Sequence, residues 1–148
     1  IEKNLIRLFK KFNILVKKFN KPIIFPIHPR TKSKIKKLKL KIDENIIIID
    51  PLDYLSFLKL MNESKIILTD SGGIQEEAAI IGVPCITLRT STERQITLIK
   101  KVNILAGYNK KKIINAVKKF ENKKILKVKD FGVGQATKII YRELLKSK

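Results

Sequence analysis

The chain has 148 residues, of which 44% are hydrophobic, so it is long enough and apolar enough to form one domain with a packed core. Its single cysteine, Cys85, excludes an internal disulfide, and no apolar run approaches the roughly 18 residues that a membrane span needs. The N-terminal segment, with apolar residues at helical spacing among lysines, is unlike a signal or transit peptide, so these features predict a cytoplasmic protein.

The charge of the chain is strongly one-sided. Lysine and arginine number 33 against 13 acidic residues, which gives a formal net charge of +20. Such an excess attracts anions and is typical of some nucleic-acid and membrane-surface proteins. Here lysine is spread along the chain and mixed with isoleucine, as codon bias would produce, whereas nucleic-acid modules group arginine with aromatic side chains. Neither nucleic acid nor membrane is therefore a predicted partner, and a basic binding module stays as an alternative.

Strand-like and helical patterns alternate from one end of the chain to the other. Strands are predicted from short runs of continuous hydrophobicity, and helices from apolar residues that recur with a period near 3.6. In chain order the elements are a helix at 1–19, a strand at 22–27, a helix at 34–40, a strand at 45–50, a helix at 53–63, a strand at 65–70, a helix at 73–81, strands at 83–88 and 102–107, and helices at 110–120 and 134–145. This alternation predicts one α/β domain with a parallel, doubly wound sheet.

A glycine pair interrupts the apolar pattern directly after the third predicted strand. In a doubly wound sheet, ligands bind at this edge, where the carboxyl ends of strands meet helix N-termini. Gly72 and Gly73 allow close approach of the backbone, and the free N–H groups of the first helical turn, with the Ser71 hydroxyl, suit a phosphate. The alternative is a plain strand-to-helix turn in which Ser71 or Asp70 caps the helix.

Two acidic residues follow the glycines in the first turns of the same helix, where carboxylates also favour the helix dipole. Glu77 lies about one turn beyond the glycines, so it is placed to accept hydrogen bonds from a vicinal diol such as that of ribose. Glu76 is predicted to be a solvated helix residue.

Two more clusters follow strands at the same predicted edge. Arg89 and Arg94 come after the fourth strand and are candidates to bind a diphosphate, with surface salt bridges to Glu93 as the alternative. His28 is the only histidine and follows the first strand, where it could donate a hydrogen bond to an anion or be structural. The three loops together predict a phosphate site. No pattern predicts a metal or another cofactor.

Four motifs together resemble the non-hydrolysing UDP-N-acetylglucosamine 2-epimerase family: "HPRT" at 28–31, "PLDYLSFLKLM" at 51–61, "DSGGIQEEA" at 70–78 and "TER" at 92–94. Their order and spacing match as well. The similarity covers essentially the whole chain, but only the C-terminal half of a family member. It implies that residues 1–148 form a single Rossmann-like, UDP-binding domain, one half of a GT-B-type two-domain fold whose N-terminal half is absent.

The resemblance also implies how the nucleotide is held. Ser71, Gly72 and Gly73 match the residues that cradle the diphosphate, and Glu77 matches the ligand of the ribose. Phe57 matches the residue beside the uracil, while its alternative role is packing in a helix core.

The family interconverts UDP-N-acetylglucosamine and UDP-N-acetylmannosamine for cell-surface polysaccharides, by what resembles an anti elimination of UDP and its re-addition. His28 and Arg94 match residues that act near the diphosphate in catalysis. The carboxylates that move the C2 proton belong to the N-terminal half, so we expect this chain alone to bind UDP and to epimerise little. Implied partners are UDP-N-acetylglucosamine or UDP, a polypeptide carrying the N-terminal half, and a second copy in a homodimer.

An alternative activity has a similar glycine loop and ribose glutamate: the donor-binding half of a GT-B UDP-sugar glycosyltransferase. The chain also departs from the epimerase pattern. Gln95 and Ile96 replace a usual Pro-Glu, residues 99–101 replace a usual Glu-Ala-Gly, and Ala79 stands where proline is common. These departures leave the predicted cradle unchanged.

Overall fold

In the computed structural model, which describes residues 2–123, 125–132 and 134–146, helices alternate with strands. The strands are β1 (Ile23–Pro26), β2 (Ile46–Ile49), β3 (Ile67–Thr69), β4 (Cys85–Thr87) and β5 (Asn103–Leu105). The helices are α1 (Glu2–Phe19), α2 (Pro29–Lys37), α3 (Tyr54–Glu63), α4 (Gly72–Ile81), α5 (Gln95–Ile99), α6 (Lys110–Glu121) and α7 (Ala136–Lys146). The predicted α/β class is confirmed. Residue 1 of the first predicted helix lies outside the described residues.

All described strand pairs are parallel, as predicted, and they form two sheets. β1 pairs with β2, with Ile23 opposite Ile46. β4 lies between β3 and β5, with Cys85 opposite both Ile67 and Asn103. Because β3, β4 and β5 run in the same direction, their carboxyl ends and the loops that follow them lie along one edge.

The main hydrophobic core joins both sheets. The apolar face of α1 contributes Phe9 and Phe12, whose rings meet Phe25 of β1 edge to face, with centroids 5.8 and 5.7 Å away. The same core contains Ile86 of β4 and Phe120 of α6. The apolar residues that recur with a helical period in α1 and α6 therefore lie in or against this core.

A second cluster anchors α4, the helix that follows the glycine pair. Ala78 of α4 packs there with Met61 of α3, Ile67 of β3 and Cys85 of β4. At its end, Gly82 adopts a left-handed conformation with φ of 82° and donates its N–H to the Ala78 carbonyl at 3.0 Å. The packing fixes α4 against the sheet, with its N-terminus at the carboxyl edge.

Three helices differ from the sequence-based expectation. α2 begins at Pro29, five residues before the predicted start, because proline suits the first helical position and His28 caps the helix. α5 was missed, since five residues are too few to show a helical period. α7 exposes its apolar residues, including Ile139 and Ile140, and buries none of its side chains. None of the described helices combines the length and hydrophobicity that crossing a bilayer requires.

Candidate functional site

The glycine pair forms the first turn of α4. The helix begins at Gly72, and Ser71 stands at the N-cap with an extended backbone and no side-chain capping bond. The Ser71 N–H donates to Thr69 Oγ1 at 3.0 Å, which leaves the N–H groups of the first helical turn pointing out of the helix end. The capping alternative is thus not used by the Ser71 hydroxyl, and the predicted donors lie together at the sheet edge.

The loop after β4 lies directly on this helix end. A Cβ atom at Gly72 would come within 2.7 Å of Glu93 Oε1 and 3.7 Å of Arg94 Cζ. At Gly73 the nearest atom, Ser71 Oγ, would be 4.0 Å away, so the second glycine faces open space. A side chain at position 72 would have to displace the flexible, half-exposed end of Glu93, and position 73 leaves room in front of the helix.

Both arginines of this loop contact carboxylates. Arg94 Nε lies 2.6 Å from Glu76 Oε1, with each side chain 34% exposed, and Arg89 lies 3.2 Å from Glu93 Oε2. The prediction that Glu76 is a solvated residue holds only in part, because the second turn of α4 directs this side chain to Arg94 and leaves it 34% exposed. Arg94 Nε is buried and makes no aligned hydrogen bond, so the contact with Glu76 is an ion pair that leaves this donor unused.

The carboxylate of Glu93 is stabilised in its charged form. A hydrogen bond from its own backbone N–H is the main cause of the lowered pKa of Glu93, and the charges of Arg89 and Arg94 lower the pKa further. The backbone N–H of Glu93 and the side chains of Arg89 and Arg94 thus all favour a negative charge beside Gly72. An anion with two phosphates would meet the same groups.

A cavity of about 400 Å³ opens beside this helix end, at the carboxyl ends of β3, β4 and β5. Its lining residues are Asp70, Leu88, Arg89, Thr90, Ser91 and Tyr108. The sequence interpretation missed Tyr108, which could have been found by applying the strand-end rule to β5 as well, since Tyr108 follows that strand after Gly107.

His28 lies at the carboxyl end of β1 and is exposed. Its Nδ1 accepts the Arg30 N–H at 3.3 Å, so the neutral imidazole carries its proton on Nε2, where it can serve as a donor. His28 can therefore cap α2 through Nδ1 and at the same time donate a hydrogen bond through Nε2. Apart from Arg89, neither His28 nor any other of the predicted catalytic and UDP-binding residues is among the described residues that line the cavity, and the catalytic role of His28 stays a prediction.

Glu77 and Phe57 flank the N-terminal half of α4. Glu77 is half-buried one turn after Gly73. Phe57, on the neighbouring α3, is half-buried and packs on the cluster that anchors α4. Helix packing thus accounts for part of the Phe57 ring, and the remainder is accessible. The structure brings Ser71, Gly72, Gly73 and Arg94 into direct proximity, with Glu77 further along α4 and Phe57 on α3.

A family profile described as UDP-N-acetylglucosamine 2-epimerase matches residues 1–145. The chain belongs to this family. Two curated archaeal UDP-N-acetylglucosamine 2-epimerases are similar: one from Methanocaldococcus jannaschii is 48% identical over 138 residues, and one from Methanococcus maripaludis is 46% identical over 140 residues. The matches cover 90% and 92% of this chain but 38% of each relative, so the chain spans well under half the length of these epimerases.

Solved epimerase structures share the fold. A crystal structure of UDP-GlcNAc 2-epimerase from Methanocaldococcus jannaschii in complex with UDP-GlcNAc and UDP has a TM-score of 0.88 at 44% identity, over 99% of this chain and 41% of that one. The enzyme from Neisseria meningitidis bound to UDP-GlcNAc has a TM-score of 0.72 at 34% identity, over 95% and 40%. These likenesses confirm the Rossmann-like fold class, one half of a GT-B-type epimerase fold.

The segment in which this chain departs from the family pattern is ordered as α5. Arg94 stands at its N-cap, and Thr97 Oγ1 donates to the Arg94 carbonyl at 2.7 Å. A short helix starts at Gln95, a first helical position at which the usual proline would also fit. The changed segment still fixes the backbone of Arg94.

The chain also contains a buried polar network that the sequence interpretation missed. Its members are all at most 5% exposed: Gln75, Thr87, Thr92, Thr97 and Asn103. Gln75 Oε1 accepts from Thr92 Oγ1 at 2.7 Å and from Asn103 Nδ2 at 3.2 Å, and Asn103 Oδ1 accepts from Thr87 Oγ1 at 2.9 Å. A signal was present: Thr87 and Asn103 are polar residues inside otherwise apolar strand patterns.

Proposed function

We propose that these residues bind the UDP portion of UDP-N-acetylglucosamine and stabilise UDP as the leaving group in 2-epimerisation. The observation that supports this proposal most directly is that the N-terminus of α4, Arg94 and Arg89 lie together at one sheet edge. The family and the neighbours solved with UDP-GlcNAc support the choice of ligand.

The chemistry at the diphosphate follows from this arrangement. When the bond between the sugar and the β-phosphate oxygen breaks, negative charge grows on UDP, and prearranged donors lower the barrier. The N–H groups of Gly72 and Gly73, the Arg94 guanidinium and the Nε2 proton of His28 are the donors that this chain supplies. Glu77 accepts from the ribose diol, and Phe57 lies against the uracil.

Removal and return of the C2 proton requires an acid and a base that we place outside these residues, on an N-terminal half. The 148-residue polypeptide is then expected to bind UDP and UDP-N-acetylglucosamine without forming UDP-N-acetylmannosamine. Product analysis by NMR tests this, and robust epimerisation by the polypeptide alone would refute it. Transfer of the sugar to an added acceptor would instead identify the glycosyltransferase alternative.

The ribose contact gives the sharpest binding test. We expect Glu77→Ala to weaken UDP binding by roughly 1–3 kcal/mol, because a charged hydrogen-bonding partner of the diol is lost. Isothermal titration with UDP and with 2′-deoxy-UDP measures the effect. Wild type should prefer UDP, and Glu77→Ala should bind the two ligands alike.

Glu121→Ala, at the end of α6, is the matched control for the charge change, and it should bind as wild type does. Equal affinity of wild type for UDP and 2′-deoxy-UDP would contradict the ribose role of Glu77. No binding of UDP by wild type would contradict the proposed function.

We further propose a cytoplasmic location, because the buried thiol of Cys85 needs no oxidising compartment, and a second copy of the chain as a partner in a homodimer. Fractionation of cells and sedimentation of the purified polypeptide test these two points.

A further inference from the structure

A continuous path of hydrogen bonds joins the glycine turn to the arginine loop. Gln75 Nε2 donates to the Ser71 carbonyl at 3.2 Å, and Gln75 Oε1 accepts from Thr92 Oγ1 at 2.7 Å. Thr92 Oγ1 in turn accepts the Arg94 N–H at 3.1 Å. The two loops that face the predicted diphosphate are therefore linked through two buried side chains, Gln75 and Thr92.

A second path reaches the other side of the same arginine. Asn103 Nδ2 donates to Gln75 Oε1 at 3.2 Å and to Thr97 Oγ1 at 3.0 Å. Thr97 Oγ1 donates to the Arg94 carbonyl at 2.7 Å. The N–H and the carbonyl of Arg94 are thus both held by hydroxyl groups that connect to the Gln75 amide.

In the first path, only one assignment of donors and acceptors satisfies every group. The Thr92 hydroxyl accepts from Arg94, so its single proton goes to Gln75. Gln75 must then present its oxygen to Thr92 and its NH₂ group to the Ser71 carbonyl. Because a buried donor or acceptor without a partner is costly, each bond enforces the orientation of the next.

We propose that Thr92 and Gln75 are positioning residues that hold the Arg94 loop in register with the α4 N-terminus, so that both act on one diphosphate. The inference rests on the proposed function and adds two residues that touch no part of the nucleotide. Their contribution is to the diphosphate contacts and not to the contacts of the uridine.

A hydroxyl-specific pair of variants at position 92 tests this role. Thr92→Val keeps the shape and removes the hydroxyl, whereas Thr92→Ser keeps the hydroxyl. Thr92→Val should weaken UDP binding about tenfold, which is the size expected for a lost buried hydrogen bond, while Thr92→Ser stays within about twofold of wild type. Binding of uridine, measured by competition, should change less than about twofold in both variants.

Ser64→Ala is the matched control, because Ser64, at the end of α3, lies outside this network and its hydroxyl also donates a hydrogen bond, to the Leu60 carbonyl at 2.7 Å. It should lower the thermal unfolding temperature as Thr92→Val does and leave UDP affinity unchanged. A double-mutant cycle adds a second readout: Arg94→Ala should cost less UDP affinity in the Thr92→Val background than in wild type.

The outcomes separate the two ideas. Wild type that does not bind UDP refutes the proposed function, and this inference with it. Wild type that binds UDP refutes the inference alone if Thr92→Val binds equally well, if Ser64→Ala loses as much affinity, or if the cycle is additive. Should Thr92→Val not fold, Gln75→Met approaches the same link from the other side and must show the same selective loss of UDP over uridine.

Discussion

Two carboxylates stand where the predicted anion would bind. Glu93 pairs with Arg89, and Glu76 pairs with Arg94, in both cases within 3.2 Å. A diphosphate that engages both arginines therefore replaces existing ion pairs and does not simply add new ones. At the scale of single residues, the affinity for UDP is expected to depend on how easily these carboxylates give way.

Removing the charge of Glu93 should strengthen UDP binding. We expect Glu93→Gln to raise the affinity about twofold to fivefold, because an exposed ion pair contributes little and its loss frees Arg89 for phosphate. Titration of UDP into both proteins measures the change. Glu63→Gln at the end of α3 removes the same charge far from the loop, and an equal gain in that control would show a general charge effect.

The single thiol predicts a pH dependence of stability. Burial raises the pKa of Cys85 to about 12 from an ordinary value near 9. Between these values the unfolded chain loses the proton while the folded chain keeps it, so this thiol lowers stability as the pH rises, by about 1 kcal/mol per pH unit.

Cys85→Ala has no thiol at this position, so its stability does not fall for this reason as the pH rises. Urea unfolding from about pH 8 to about pH 11 should therefore show the difference between wild type and Cys85→Ala narrowing as the pH rises. A difference that is constant across this range would contradict the assignment.

At the scale of elements, α4 carries glycines with opposite roles at its two ends. Gly73 lies in the first turn with open space before it, whereas Gly82 ends the helix in a left-handed conformation. A Cβ atom at Gly82 would also lie 3.3 Å from the Ile125 carbonyl oxygen. The helix thus tolerates a side chain where the ligand is predicted and resists one where the chain turns away.

Alanine at these two positions should separate stability from binding. Gly82→Ala is expected to cost about 1–2 kcal/mol of unfolding free energy, because alanine is strained at positive φ. Gly73→Ala should raise stability by about 0.5 kcal/mol and yet weaken UDP binding at least about tenfold, since the methyl group fills the approach to the helix end.

Thermal unfolding and UDP titration are measured for both variants, so that each variant serves as the control for the other. Unchanged UDP affinity in Gly73→Ala would place the phosphates elsewhere, whatever the stability change.

The elements show which parts of the structure the sequence could predict. Continuous apolar runs identified all five described strands, and the period of α1, α3, α4 and α6 identified those helices. α5 and the early start of α2 depend on turn and capping geometry over a few residues, which periodicity cannot detect. The ion pair of Glu76 and the buried network depend on contacts between distant segments, such as Gln75 with Asn103, and no local pattern encodes them.

At the scale of the whole molecule, the net charge of +20 affects every anion that approaches. A specific nucleotide site and a general basic surface both attract UDP, but they respond differently to competitors. A specific site prefers UDP over phosphate and recognises the ribose. A basic surface prefers the anion with the most charges, of which duplex DNA is the extreme case.

Salt dependence separates these contributions. Between about 0.05 M and about 0.5 M NaCl, the Kd for UDP should rise several-fold, because screening weakens the long-range attraction, while the Kd for uridine stays constant. Retention of DNA at the higher salt with no preference for UDP over phosphate would favour the basic-module alternative.

The buried network also constrains how this sequence can change over generations. Loss of any one hydroxyl or amide strands a side-chain partner inside the core, whereas exchange of all five side chains for hydrocarbon at once would leave no side chain of the network stranded. A single substitution is therefore destabilising at each of the five positions. We expect related sequences to keep all five residues or to replace all five: Gln75, Thr87, Thr92, Thr97 and Asn103.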